Sequence, residues 1–336
     1  MPAGQLLFQP QVAVQAALAR GAGLPEHVSP ECPVALYAAT LSGEAVCLGR
    51  YQHEAQVLGA ASESSEWCRR ATGGAAVRAG VGVMYVALAL HDRSSLLRCP
   101  PGRVLNRNVR GVLTGLRHAG LQINYFGRDF LSHGSEPVIY VAWDLRETGQ
   151  LLLELFVAHS EAWFVPATQL AYPARNEPAL RGRAPTTIDR VQPNLAPEAV
   201  FRAIADGHAR AFDVIWTEAD SVAIAQTESV AATREQLGLE PLSWSSPREE
   251  AIGFVSAGVG LDANGKFVRV HVAGDFFAHR ACTATLETRL RGASPDAVVV
   301  GEAVDAVFAR SGYDVEGIRS LSVIRDVILE AAQRAT

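Results

Sequence analysis

Arg69-Arg70-Ala71-Thr72-Gly73-Gly74-Ala75-Ala76-Val77 gathers two arginines, a hydroxyl and two adjacent glycines before the chain turns apolar. Glycines permit close backbone approach. Exposed loop N–H groups attract carboxylate or phosphate, and a planar guanidinium such as that of Arg70 binds either through its fork. The stretch therefore reads either as an anion-holding loop or as a plain Gly-Gly turn. Gly127-Arg128-Asp129 offers a second cation, for ligand binding or for pairing with Asp129. His133, in Ser132-His133-Gly134-Ser135, reads as a general base or as a solvated loop histidine. The nine histidines show no metal-ligand spacing with cysteine or carboxylate, so no metal site is expected. One lysine, Lys266, stands against 29 arginines. GC-rich coding explains that bias, and arginine cannot serve as an amine nucleophile.

The elements that must position these groups follow from periodicity and turn residues. Residues 5–20 read as a modest helix ended by Gly21 and Gly23. Residues 34–37 and 44–49 read as short strands around a Ser42-Gly43 turn. Residues 54–66 read as a small-residue helix or loop. Val77–Leu90 is strand-like, with Gly80 and Gly82 marking a bend or a turn between two strands. Leu105–Ala119 is an amphipathic helix with Gly120 just past its end. Leu121–Tyr125, Pro137–Trp143 and Leu151–Ala158 read as strands, the last two joined by a hairpin at 144–149. Tyr140 and Trp143, three apart, point to opposite faces. Residues 166–197 are rich in proline and arginine and read as a long loop. Pro197–Phe212 is a helix with proline at its start, and 217–240 a polar helical connector. Strands at 251–261 and 266–272 then flank Asn264-Gly265, and helices follow at 281–291, 295–310 and 318–332.

The 336 residues suggest two domains. With 49% hydrophobic and 19% charged residues the composition is that of a folded protein with a real core. A net charge of -5 gives no whole-chain field for nucleic acid. The longest apolar runs are too short to span a membrane, and no signal peptide is evident. Five cysteines without Cys-x-x-Cys suggest reduced thiols in a cytoplasm.

Six features occur in a fixed order: Gly49-Arg50-Tyr51-Gln52, the Arg69–Val77 loop, Gly127-Arg128-Asp129, Thr148-Gly149-Gln150-Leu151-Leu152-Leu153, Trp244-x-x-Pro247 and Gly274-Asp275-Phe276-Phe277. The order resembles the lipoate–protein ligase family over almost the whole chain. The resemblance implies an α+β fold of the biotin/lipoate ligase type: mixed, mostly antiparallel sheets with flanking helices, plus a small α+β C-terminal domain. The expected division is 1–212 for the ligase-like domain, 213–247 for a connector and 248–336 for the accessory domain. The implied activity joins lipoate or octanoate to ATP, with Mg2+, and passes the acyl group to a lysine of a lipoyl-carrier domain. Substrate and adenylate contacts would fall on Arg50, Arg70, Thr72, Gly73, Gly74, Arg128 and Gly149.

The chain departs from that family where the chemistry lies. The family's lysine in the strand after the Gly-Arg segment would offset charge developing in acyl transfer. Here that strand reads Val138-Ile139-Tyr140-Val141-Ala142-Trp143, and Lys266 lies in the other domain. The loop's third glycine is Ala75, the histidine after it falls near Ala79, and Asn-Asp after Gly-Arg is Asp129-Phe130. Cys68 adjoins two arginines, which favour thiolate. A thiolate acyl carrier of the octanoyltransferase kind and a plain buried thiol are its two readings. A working acyl ligase and a catalytically silent relative that binds an acyl group, a nucleotide or a carrier are therefore the competing expectations.

Overall fold

A computed structural model describes residues 1–59, 66–96, 104–166, 169–171, 183–219, 242–309 and 315–336. Strands β1 (Ala3–Ala13), β2 (Val34–Ser42), β3 (Glu44–Leu48), β4 (Trp67–Arg69), β5 (Val77–Gly80), β6 (Val83–Leu90), β7 (Ile123–Tyr125), β8 (Phe130–His133), β9 (Glu136–Leu145), β10 (Leu151–Ala158) and β11 (Ile215–Glu218) build the first unit. Its large sheet runs β11-β1-β2-β6-β10-β9-β8-β7. Only the β1 pairings are parallel there; every other pairing is antiparallel. A second sheet, β4-β3-β5, carries the Arg69–Val77 loop between its two outer strands. Every residue of β6 and β10 is buried, so these strands are apolar throughout rather than alternating, as strands covered on both faces must be.

Helices Val104–Asn108, Arg110–His118 and Pro197–Phe212 accompany this sheet, the last with proline in its first turn. The helix expected over 105–119 is thus interrupted at Val109, and Gly120 takes the positive φ expected past its end. The helix expected over 5–20 is corrected more deeply. Ala3–Ala13 is a strand, and the helix is Val14–Gly23. Parallel partners β2 and β11 hold β1, with a register shift between Gln9 and Val12 around Pro10.

Strands β12 (Ser243–Trp244), β13 (Arg248–Glu249), β14 (Phe254–Leu261), β15 (Phe267–Gly274), β16 (Phe277–Ala278) and β17 (Val315–Glu316) belong to the C-terminal unit. The β14–β15 hairpin turns at Asn264-Gly265, and helices Arg280–Leu290, Ala297–Phe308 and Ser322–Ala335 share its core. The stretch read as a connector gives Ile215–Glu218 to the large sheet and Ser243–Trp244 to the small one. The polar helix read over 217–240 falls mostly outside the described residues.

Candidate functional site

The loop between β4 and β5 lies between the two sheets of the first unit and against the C-terminal unit. Arg70 is fully buried. Its Nε donates to Thr72 Oγ1 at 3.0 Å and one terminal nitrogen donates to the Cys47 carbonyl at 3.0 Å. The other reaches the Gly73 and Ala75 carbonyls, both at 2.7 Å, and the Tyr140 hydroxyl at 3.1 Å. The guanidinium also sits 5.1 Å from the centre of the Tyr140 ring. Thr72 donates to the buried carboxylate of Glu154, whose other oxygen accepts from Tyr85 at 2.6 Å. Burial raises the Glu154 pKa, and these two donors oppose the shift. A buried cation and a buried anion are thus joined through one hydroxyl, with each nitrogen of the one and both oxygens of the other hydrogen-bonded, as interior charges require.

The glycine N–H groups are committed as well. Gly73 N donates to the Trp143 carbonyl at 3.2 Å and Gly74 N to the Phe276 carbonyl at 2.9 Å. Gly74 has φ +88°, and a Cβ there would stand 2.2 Å from the Tyr140 hydroxyl and 2.6 Å from the Phe277 ring. Arg69 is spent on the carbonyls of Gly49, Arg50 and Gln52, with Glu54 3.4 Å away. Arg50 gives its backbone N–H to Thr72 O at 2.8 Å. An anion nest needs open N–H groups and an available cation. In this arrangement the Arg70 fork and the two glycine N–H groups are taken up by acceptors of the protein itself.

Two of the ordered motifs meet as a clasp between the units. Gln52 Oε1 accepts from Gly49 N at 2.8 Å, and its amide donates to Asp275 Oδ1 at 2.5 Å. Tyr51 stacks on Phe276 at 4.8 Å and donates to the Ala278 carbonyl at 3.0 Å. Gly274 N donates back to Tyr51 O at 2.9 Å. Trp143 stacks on Phe277 at 5.9 Å and its Nε1–H donates to Glu316 at 2.9 Å, while Tyr140 packs 5.2 Å from Trp163. Arg280 closes an ion pair with buried Asp144.

Arg70, Thr72, Gly73 and Gly74 come together, with Arg50 beside them. Arg128 lies 3.7 Å from Asp129 and 5.6 Å from the centre of the Phe130 ring. Gly149 does not join the cluster. It forms the β9–β10 turn at φ +92°, and the non-neighbouring atom a Cβ would meet is on Asp92. His133 is the last residue of β8 rather than a loop residue, and Gly134 makes the turn. Cys68 faces the Cys47 thiol at 3.4 Å.

Asp129 figures in the sequence only as a partner for Arg128, and the two stand 3.7 Å apart. Asp129 is buried, and neither carboxylate oxygen has a hydrogen-bond partner among the described residues. Desolvation pushes its pKa up to about 6; Arg128 pulls the other way, and Asp275 adds to the rise. Such a carboxyl can hold or release a proton near neutral pH. Ser132 Oγ, on the same strand region, is likewise buried without a partner among the described residues. Among the described residues no three His, Cys, Asp or Glu are placed to hold a metal ion, and no helix is long and apolar enough to cross a membrane.

No family model and no curated protein matches this sequence. Solved structures do. LipL1 of P. falciparum in complex with lipoate is similar at 12% identity over 97% of this chain and 99% of its own, with a TM-score of 0.66. A bipartite lipoate protein ligase from Thermoplasma acidophilum, described with its E2 lipoyl domain, is similar at 15% identity over 66% of this chain and 89% of its own, with a TM-score of 0.54. Lipoate-protein ligase A bound with ATP is similar at 15% identity over 66% and 91%, with a TM-score of 0.51. At these identities the likeness shows the fold. It is the mixed α+β lipoate ligase fold with a small C-terminal portion.

Proposed function

We propose that this chain is a non-ligating protein of the lipoate ligase fold that recognises a lipoyl-carrier domain. The observation that carries the reading is the commitment of Arg70 and of the Gly73 and Gly74 N–H groups within the protein. All three Arg70 guanidinium nitrogens and the Gly73 and Gly74 N–H groups are bonded to the protein itself. Activating a carboxylate with ATP places new negative charge at the reacting centre, which must meet preorganised donors or cations. The loop's buried cation and its two glycine N–H groups are already engaged. The strand beneath it presents Tyr140, a neutral hydroxyl whose pKa burial raises well above its ordinary value. The chain's one lysine, Lys266, is exposed in the β14–β15 turn of the other unit.

Carrier recognition draws support from similarity along the whole chain to a structure solved with lipoate, and from a similar ligase described with its E2 lipoyl domain. The test mixes the protein with a lipoyl-carrier domain, unmodified and lipoylated, and reads binding by calorimetry and the carrier's intact mass. Binding without a mass change is the expected result. No binding to either form removes carrier recognition.

A second reading, lipoate or octanoate ligation with ATP and Mg2+, is favoured by one observation. The similarity to the LipL1 structure spans 97% of this chain, including the C-terminal unit. A carrier mass increased by one acyl group would establish ligation.

A further inference from the structure

Cys47 and Cys68 occupy directly opposed positions on the parallel strands β3 and β4, with Sγ atoms 3.4 Å apart. Neighbouring strands run about 4.8 Å apart, inside the span a disulfide bridges between Cα atoms. Register, rather than chance proximity, faces the two side chains toward each other. Both are free thiols; Cys47 is fully buried and Cys68 is 7% exposed. On its other side Cys47 pairs with Val77 of β5, and the Arg70 guanidinium donates to its carbonyl. The Cys47 pKa is raised, first by its hydrogen bond with Cys68 and then by burial, while the Arg70 guanidinium opposes the rise.

We propose that Cys47 and Cys68 form an oxidisable dithiol that closes to an intramolecular disulfide and locks the Arg69–Val77 loop to β3. The inference rests on strand register and not on the functional reading above. The oxidant class is a small-molecule disulfide such as oxidised glutathione. Cys68, the more accessible thiol, loses its proton and attacks one sulfur of the oxidant. This forms a mixed disulfide and expels one glutathione thiolate, which takes up a proton. Cys47, deprotonated in turn, attacks the Cys68 sulfur and expels the second glutathione. Two protein thiols are oxidised, one oxidant disulfide is reduced to two thiols, and protons balance. Thiolate attack of this kind is the general route to disulfides.

The consequence is local. β4 has only three residues, each paired with β3, and it runs directly into the loop. Arg70 also anchors on the Cys47 carbonyl and, through its own N–H, on Leu48 O at 2.9 Å. A bond between the two sulfurs makes the base of the loop covalent and removes freedom from the unfolded chain.

The experiment equilibrates the full chain in glutathione buffers of increasing oxidised fraction, quenches in acid and traps remaining thiols with a maleimide under denaturing conditions. Loss of two of the five thiols together is expected, with one cross-linked peptide pair containing residues 47 and 68. The melting temperature should rise by about 5 °C on oxidation. Cys47→Ser and Cys68→Ser should each abolish both changes. Retention of all five thiols, or closure through Cys32, Cys99 or Cys282, overturns the proposal. Peptide mapping of the unmutated chain decides the matter even where a serine variant folds poorly.

Discussion

Arg70 and Asp129 are both buried charged residues beside the C-terminal unit, and they stand in opposite conditions. Each Arg70 nitrogen meets a protein acceptor, and its charge is answered through Thr72 by Glu154. Asp129 keeps both oxygens free of hydrogen bonds among the described residues, with the Arg128 nitrogen 3.7 Å away. A saturated buried charge is a structural frame, because a ligand must break existing bonds to use it. An unsatisfied one raises its own pKa and remains able to exchange a proton or accept a donor. In the proposed reading the Arg69–Val77 loop is the frame. Asp129, beside the second motif, is the group left without hydrogen bonds among the described residues.

The largest test of this contrast removes the frame. Arg70→Met leaves Glu154 buried without its cation, and urea unfolding should show a loss of about 3–5 kcal/mol. Arg70→Lys should recover only a part, since one ammonium cannot span acceptors arranged for a planar fork. A loss below about 1 kcal/mol would place Arg70 with ordinary surface arginines and erase the contrast.

Asp129 sharpens the other side. Its carboxyl keeps a proton to a higher pH in the fold than in the unfolded chain. Its stabilising contribution is therefore full below about pH 4 and is lost as pH rises through about 6. Relative to wild type, Asp129→Asn should stabilise at pH 7 by roughly 1–3 kcal/mol, and the gain should vanish near pH 4. Melting curves at both pH values check the sign. A variant equally destabilised at both would mean that the carboxylate is structurally satisfied.

Gly74→Ala probes the seam between the units. The new methyl meets the Tyr140 hydroxyl and Phe277 at a positive φ, and should cost about 2–3 kcal/mol. A double-mutant cycle with Phe277→Ala should show coupling of at least about 0.5 kcal/mol, since the two sites touch. Gly149→Ala is the smallest change. It strains one turn away from the loop, should cost about 1 kcal/mol, and should leave carrier binding untouched in calorimetry.

Much of the fold was legible in local pattern. Turn glycines at 43, 82, 120, 134, 149 and 265 take positive φ, and the apolar strands β6, β9 and β10 stand where runs of buried residues place them. The β1 strand was not legible, because its partners are parallel and distant and its Leu6-Leu7 pair fits a helix face equally well. The clasp was legible only as motifs. That Gln52 would reach Asp275, more than two hundred residues away, is a tertiary fact. Arg70 was misleading for a physical reason. Arginine in an arginine-rich chain suggests solvent or ligand, and only the surrounding carbonyls show that its donors are spent.

Pyrophosphate exchange tests the central claim most directly. The folded wild-type protein is incubated with ATP, Mg2+ and lipoate or octanoate, and label exchange between pyrophosphate and ATP is followed. A saturated loop predicts no carboxylate-dependent exchange above the protein-free control. Exchange that depends on lipoate or octanoate, and is lost in Arg70→Lys protein confirmed to be folded, would contradict the account.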